Sequence, residues 1–294
     1  MSGDPCFHVA AAGLKGLSFL SDLHQLGQIP ARVFSYAQKD DHSEAFAKIV
    51  AFCEAHSVAL TEQRRPAVEP GVRTFFVGWQ YLIEAPTDDV VVFHDSLLPD
   101  LRGFAPTATA LIVGRARIGV TALRPDQDVD TGPVFLQDGF DVEHPMRIAD
   151  ALNRQAALMA ALAGRILAAD AASAPVKPVP QNDDGAIYSI WRDALDFGLD
   201  PAMPAQEIVR RVYALGYPYN GATIRCGDEI LTVLDAIEMD EMNFAIRDAG
   251  KVWTLDHDGP VVICGRGVVK FTDLRDSSGA RWTPPRLRLR FERP

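Results

Sequence analysis

The sequence predicts an α/β protein: an N-terminal part built on a mostly parallel sheet and a smaller, β-rich C-terminal part. Three observations predict it. Short apolar runs alternate with helical periodicity over roughly the first 170 residues, a proline-rich stretch follows, and beyond it short strands recur between turn signals. The 294 residues, 48% hydrophobic and 23% charged, suffice for one large or two ordinary domains. Both values lie near globular averages, which excludes a disordered or fibrous chain.

In order along the chain, Phe7–Ala12 reads as a strand ending at Gly13, and Leu14-Lys15-Gly16 as a turn before a helix from Leu17 to Leu26. Val33–Tyr36 is a second strand. A helix over Ser43–His56 carries Ala45, Phe46, Ile49, Val50 and Cys53 at helical spacing. Thr74–Val77 and Val90–Phe93 read as buried strands, Phe104 to Ile112 as a helix, Gly119–Leu123 as a strand, and Val142 to Ala169 as a long amphipathic helix. Strands separated by helices imply parallel pairing with helices on both faces. Residues 171–185 contain three prolines and no amphipathic period, which marks a linker. Domains are therefore expected at 1–170 and 187–294, joined by 171–186. The second opens with a helix over Ala205–Leu215, preset by Pro204. Ala222–Arg225, Ile230–Val233, Lys251–Leu255, Val261–Cys264 and Val268–Phe271 then read as strands of a small barrel or sandwich.

Charge and cysteine usage exclude several function classes. The net charge is −10, divided as −8 over residues 1–186 and −2 over 187–294, so phosphate backbones are repelled and nucleic acid is a disfavoured partner. Arg281, Arg286, Arg288, Arg290 and Arg293 form one basic cluster, readable as a solvated edge strand of alternating Arg and Leu or as a phosphate-binding tail. No run approaches eighteen apolar residues, so no membrane partner is expected. The start carries no basic n-region, and Cys6, Cys53, Cys226 and Cys264 include no CxxC pair; both point to reduced core thiols, no metal and a cytoplasmic location.

Two constellations carry chemistry. Gly13-Leu14-Lys15-Gly16 joins the first strand to the first helix, where free N–H groups favour an anion; a plain tight turn explains it equally well. More specific is the strand Val90-Val91-Val92-Phe93 running into His94-Asp95-Ser96-Leu97-Leu98-Pro99, with Asp130-Thr131-Gly132-Pro133 following the next strand. Ligands of open α/β sheets bind at the carboxyl ends of strands. A carboxylate that orients an imidazole there raises its basicity, so the pair moves a proton near neutral pH.

Residues 92–106 resemble the Asn-x-His-x-Ser-Leu-Leu-Pro-x-x-Arg-Gly-x-x-Pro signature of the folate-dependent formyltransferase family. Ile118-Gly119-Val120-Thr121 with Val129-Asp130-Thr131-Gly132-Pro133-Val134 is similar to the family's second segment. Ala205–Leu215, Tyr217-Pro218-Tyr219-Asn220-Gly221-Ala222 and the β-rich remainder look like its C-terminal domain. The resemblance covers most of residues 74–275. It implies a Rossmann-like formyltransferase domain and a small OB-like β-barrel, with 10-formyltetrahydrofolate as formyl donor. By match to the family motif, His94 and Asp130 are the catalytic residues. Trp79, Gln80, Tyr81, Leu82 and Ile83 align with the loop facing the pterin, and Asp126, Gln127 and Asp128 with the turn offering it backbone groups. Lys15, Ser96, Leu97, Leu98, Pro99, Arg102 and Gly103 fall on the substrate side.

One position departs. The family's third catalytic residue, an Asn two places before the His, is Val92 here. Valine cannot donate, and losing one oxyanion donor costs about 10²–10³ in rate. Another donor such as Gln80 or a backbone N–H takes over, or the reaction differs, or the chain only binds ligands; Asp95 is a candidate substitute. For the acceptor, the acidic frame and the 78–83 loop favour the small-molecule amine of a nucleotide-linked amino sugar over methionyl-tRNA. The assembly is left open, a homodimer included.

Overall fold

The structure is a computed structural model that describes residues 6–38, 44–81, 83 and 87–294. These residues pack as two units. One takes the chain up to Thr107, Arg117–Asp141 and Asp150–Ile190; the other takes Ala108–Ala116, Val142–Ala149 and Trp191–Pro294.

Up to residue 190 the chain forms β1 (Phe7–Ala11), α1 (Gly13–Gln25), β2 (Arg32–Ser35), α2 (Ala45–Ala55), β3 (Ala59–Glu62), β4 (Arg73–Val77), β5 (Val90–His94) and β6 (Arg102–Gly103). α3 (Pro106–Val113), β7 (Arg117–Leu123), β8 (Val134–Asp141), α4 (Ile148–Ala171) and β9 (Tyr188–Ser189) follow. A seven-stranded sheet has the order β3-β2-β1-β4-β5-β7-β8. Its first five strands are parallel, and β7 and β8 run antiparallel. The chain moves from β1 to β2 and β3 on one side and then crosses to β4 on the other. The switch point therefore lies between the carboxyl ends of β1 and β4, next to the end of β5.

Side chains alternate faces along each strand. Val9, Ala11, Phe75, Val77, Val91 and Phe93 join Phe19, Leu20 and Leu23 of α1, Ile49 and Cys53 of α2 and Ala156 to Leu167 of α4 in one core. Ala10, Phe34, Phe76 and Val90 form a second, smaller cluster covered by Val68, Trp79, Ile83 and Val92. The sequence predicts helices on both faces. Instead α1, α2 and α4 share one, and side chains outside the helices (Val68, Trp79 and Ile83) cover the other.

Several local expectations are corrected. Leu14-Lys15-Gly16 is the first turn of α1, not a turn before it. Gly16 makes this register feasible, since a Cβ there would stand 2.9 Å from the carbonyl carbon of Ala11 and push the helix off β1. The helix expected from Val142 starts only at Ile148, after His144-Pro145. The edge strands β3 and β8 were not predicted, because their polar residues (as in Gln137-Asp138) obscure the apolar pattern. The start of the expected 43–56 helix, Ser43, lies outside the described residues.

The second unit holds α5 (Ala205–Ala214), β10 (Ala222–Cys226), β11 (Glu229–Met239), β12 (Val252–Asp256), β13 (Gly259–Ile263), β14 (Val268–Arg275) and β15 (Phe291–Glu292). The six strands are ordered β12-β13-β14-β11-β10-β15. The two edges meet: Val252 N donates to Leu289 O at 3.0 Å and Phe291 N to Gly250 O at 2.8 Å. A sheet whose edges pair curls into a barrel, which decides between barrel and sandwich. Of the Arg-rich end only Phe291–Glu292 pairs as a strand, so the predicted long alternating edge strand is not formed.

Phe75 anchors the main core, fully buried with rings of Phe7, Phe19 and Phe93 at 6.0, 6.5 and 6.0 Å. Phe75→Ala is expected to lower the unfolding free energy by about 3–5 kcal/mol, measured by urea denaturation.

Candidate active site

Val90, Val92 and His94 share one face of β5, and Val92 lies in a row with Phe76 of β4 and Ala10 of β1. The row is apolar, so the half-buried Val92, like Trp79 and Ile83, packs on the cluster of Ala10, Phe34, Phe76 and Val90 rather than presenting a polar group. His94 ends the strand and is 7% exposed. Its Nε2 lies 2.8 Å from the carbonyl oxygen of Leu101. A carbonyl only accepts, so Nε2 carries the hydrogen. Nδ1 lies 3.3 Å from Asp130 Oδ2. Burial holds the ring below its ordinary value of 6.5, and the Lys15 charge adds to this; Asp130 and the Leu101 carbonyl act in the opposite direction. A neutral His94 thus turns an unprotonated Nδ1 toward a carboxylate. Nδ1 is an open proton site whose filled form Asp130 stabilises.

Asp130 is held by its neighbours. Its Oδ2 accepts the Gly103 N–H at 2.9 Å. Gln181 Nε2 donates to the backbone oxygens of Asp130 and Gly132 at 2.8 and 2.7 Å. The residue adopts φ 55°, the left-handed region that Asp tolerates better than most side chains. Two residues on, a Cβ at Gly132 would stand 1.8 Å from the Arg124 carbonyl oxygen, so only glycine closes this turn. Beneath it Arg102 is 2% exposed, and its Nη2 donates to Gln181 Oε1 at 2.8 Å and Asp183 Oδ1 at 2.7 Å. β6 pairs in parallel with β9 through Arg102 and Gly103, so residues 181–189 dock on this unit rather than acting as a free linker.

A second charge pair lies beside the first. Lys15 Nζ meets the Asp95 carboxylate, with side chains 16% and 11% exposed. Burial pushes the lysine down to about 7. Gln155 fixes the Asp95 backbone, donating to its oxygen at 3.0 Å and to Gly119 O at 2.9 Å.

This geometry has counterparts. Two family models match: formyl transferase over residues 79–162, and formyl transferase, C-terminal domain, over 196–287. The methionyl-tRNA formyltransferase of Bordetella petrii is 30% identical over 228 residues, covering 72% of this chain and 68% of the relative. The chain belongs to the formyltransferase family. The methionyl-tRNA formyltransferase of Acidovorax ebreus is 31% identical over 207 residues, 69% of this chain; the match spans 62% of that relative, under two thirds of its length. Among solved structures WlaRD, a sugar 3N-formyl transferase determined in the presence of dTDP and 5-N-formyl-THF, shares the fold. Its TM-score is 0.68 at 14% identity, covering 94% of this chain and 99% of that one.

Within this chain the predicted site residues fall into three groups. His94, Asp130 and Gly103 converge. Trp79 is half-buried, edge-on to Tyr36 and Phe76 at 5.0 and 5.7 Å, and Tyr81 lies against Tyr36 at 5.3 Å. Gln80 is exposed, Ile83 packs beside Val92, and Leu82 lies outside the described residues. Asp126, Gln127 and Asp128 are exposed, with the Gln127 N–H bonded to Asp126 Oδ1 at 2.8 Å. The third group supports the site from within. Ser96 is buried and its carbonyl accepts from Thr121 Oγ1 at 2.7 Å; Leu98 is buried, bonded through its N–H to Thr121 Oγ1 and its oxygen to Gln137. Leu97 closes against Gly119, and Pro99 O accepts from Ile187 N at 3.2 Å. Arg102, expected beneath substrate and cofactor, spends its donors on Gln181 and Asp183. It braces the Asp130 turn.

Gln181 and the Leu101 carbonyl are site residues that sequence reading missed. Gln181 follows Pro180 in an aperiodic stretch, and a backbone carbonyl leaves no signal. Among the described residues no three His, Cys, Asp or Glu side chains cluster as a metal site, and no helix is long and apolar enough to cross a membrane.

Asp130→Asn removes the carboxylate that supports a proton on His94, so the ring's proton affinity is expected to fall further below the 6.5 range. An NMR titration of the His94 ring reads this as a midpoint at lower pH. Gln181→Ala is expected to cost about 1–3 kcal/mol in urea denaturation, since two backbone carbonyls lose their donor.

Proposed function

We propose that this protein transfers a formyl group from 10-formyltetrahydrofolate to the primary amine of a small molecule, a nucleotide-linked amino sugar. The observation that carries the reading is His94 meeting Asp130 at the end of β5. The donor fits this strand end. Trp79, Ile83 and Val92 make a half-buried apolar wall suited to a flat ring, and Val92 lies on the strand that ends on His94; the turn from Asp126 to Asp128 is exposed. 10-Formyltetrahydrofolate supplies the activated formyl carbon.

The chain's own residues handle protons and charge. The acceptor nitrogen attacks as the neutral amine and loses a proton as its bond to the formyl carbon forms; Nδ1 of His94 stores that proton, stabilised by Asp130, until the bond from the formyl carbon to N10 breaks and the departing tetrahydrofolate nitrogen takes it. The resulting imidazolium, with Nε2–H still tied to Leu101, places positive charge where the transferred carbonyl oxygen becomes negative. Val92 supplies no donor there, so the electrostatic part of the work falls to His94 and its neighbours.

The amino-sugar acceptor is supported by the acidic surface charge and by the sugar N-formyltransferase fold of WlaRD. A second reading, methionyl-tRNA as acceptor, is favoured by the names of the curated relatives.

The test follows tetrahydrofolate release from 10-formyltetrahydrofolate with dTDP-linked amino sugars and with methionyl initiator tRNA. Turnover with a sugar and not with tRNA is expected. His94→Ala and Asp130→Asn are each expected to lower kcat by about 10²–10⁴. Tight donor binding with no turnover on any amine sinks the enzymatic reading.

A further inference from the structure

We propose that Asp95 is the acceptor-binding carboxylate of this site, and that Lys15 is an internal ammonium which occupies it until the acceptor's own primary ammonium takes its place. The inference rests on the formyl-transfer reading and extends it to how the amine is recognised.

The placement of the two charge pairs carries the argument. His94 follows Val90 and Val92 onto the face covered by Trp79 and Ile83, and it turns to Asp130. Asp95 comes next in the chain, beyond the face on which Val91 and Phe93 pack against α1 and α4. There it meets Lys15, from the first turn of α1. The donor wall and Asp95 therefore flank the end of β5 from opposite sides, which leaves the Asp95 side for the second substrate.

The chemistry of the pair points to an amine. Asp95 is 11% exposed and its backbone is pinned by Gln155, so the carboxylate is preformed rather than drawn in. The group it holds is an alkylammonium, the same head group a primary-amine acceptor carries on arrival, before it gives one proton to solvent and attacks as the neutral amine. Burying such a pair costs desolvation on both partners, and a packed apolar pair would fill the space with less penalty. Lys15 is also a poor permanent occupant, because burial weakens its hold on the proton.

The experiment compares Asp95→Asn and Lys15→Met in the 294-residue chain with the dTDP-linked amino sugar that turns over in the tetrahydrofolate-release assay. The two substitutions are expected to have opposite signs. Asp95→Asn raises the acceptor KM by about 10- to 100-fold, the loss of one charge-assisted contact, while Lys15→Met lowers it by removing the competitor. The dissociation constant for 5-formyltetrahydrofolate, read by tryptophan fluorescence, stays unchanged in both. A merely structural pair raises the acceptor KM in both variants, and that result overturns the proposal. A separate arm needs no turnover: Lys15→Ala is expected to melt higher in ethylammonium chloride than in tetramethylammonium chloride, and Lys15→Ala/Asp95→Asn is not. Absence of that difference also overturns it. If the wild type turns over no amine, the formyl-transfer reading fails by itself while the ethylammonium arm still reports on Asp95.

Discussion

Holding a carboxylate against a buried imidazole is the constraint around which the N-terminal unit is arranged. His94 and Asp130 are 36 residues apart, at the ends of different segments, and 3.3 Å separates their side chains. An isolated carboxylate at a half-buried position would relax toward solvent. Here it is tied by the Gly103 N–H, its backbone by Gln181, and Gln181 in turn by the buried guanidinium of Arg102. The Arg-Gly dipeptide of the signature thus acts on the site from below. The arginine anchors the segment after α4, and the glycine, at φ +100°, lets that segment approach.

Opposed charges then set the state of His94. Burial and the Lys15 ammonium disfavour a proton on the ring, while Asp130 and the Leu101 carbonyl favour one. Such a balance leaves the imidazole neutral at rest and able to accept charge when a reaction releases a proton.

Val92 shows how packing competes with chemistry. The family's Asn would place an amide in the row of Ala10 and Phe76, against Trp79 and Ile83. In this chain the row is apolar throughout, which strengthens the wall on that face. The belonging to the formyltransferase family rests on the whole pattern of segments and not on that one residue.

The alternation of apolar runs and helices, the proline-rich break and the β-rich remainder are local patterns, so the sequence by itself determined the α/β class, the parallel sheet and the small barrel. It also marked His94 and Asp130, because each lies in a short contiguous motif of its own, residues 92–106 and 129–134. The edge strands β3 and β8, the start of α4 at Ile148 rather than Val142, and the helical Leu14-Lys15-Gly16 escaped it, since pairing and close packing override weak local preference. Only the tertiary structure decided that Arg102 braces rather than lines the site, that Gln181 from an aperiodic stretch holds the Asp130 turn, and that Lys15 meets Asp95 across 80 residues of chain. These are long-range contacts between polar side chains. They leave no periodicity in the sequence, because their energy depends on where the backbone has already put both partners.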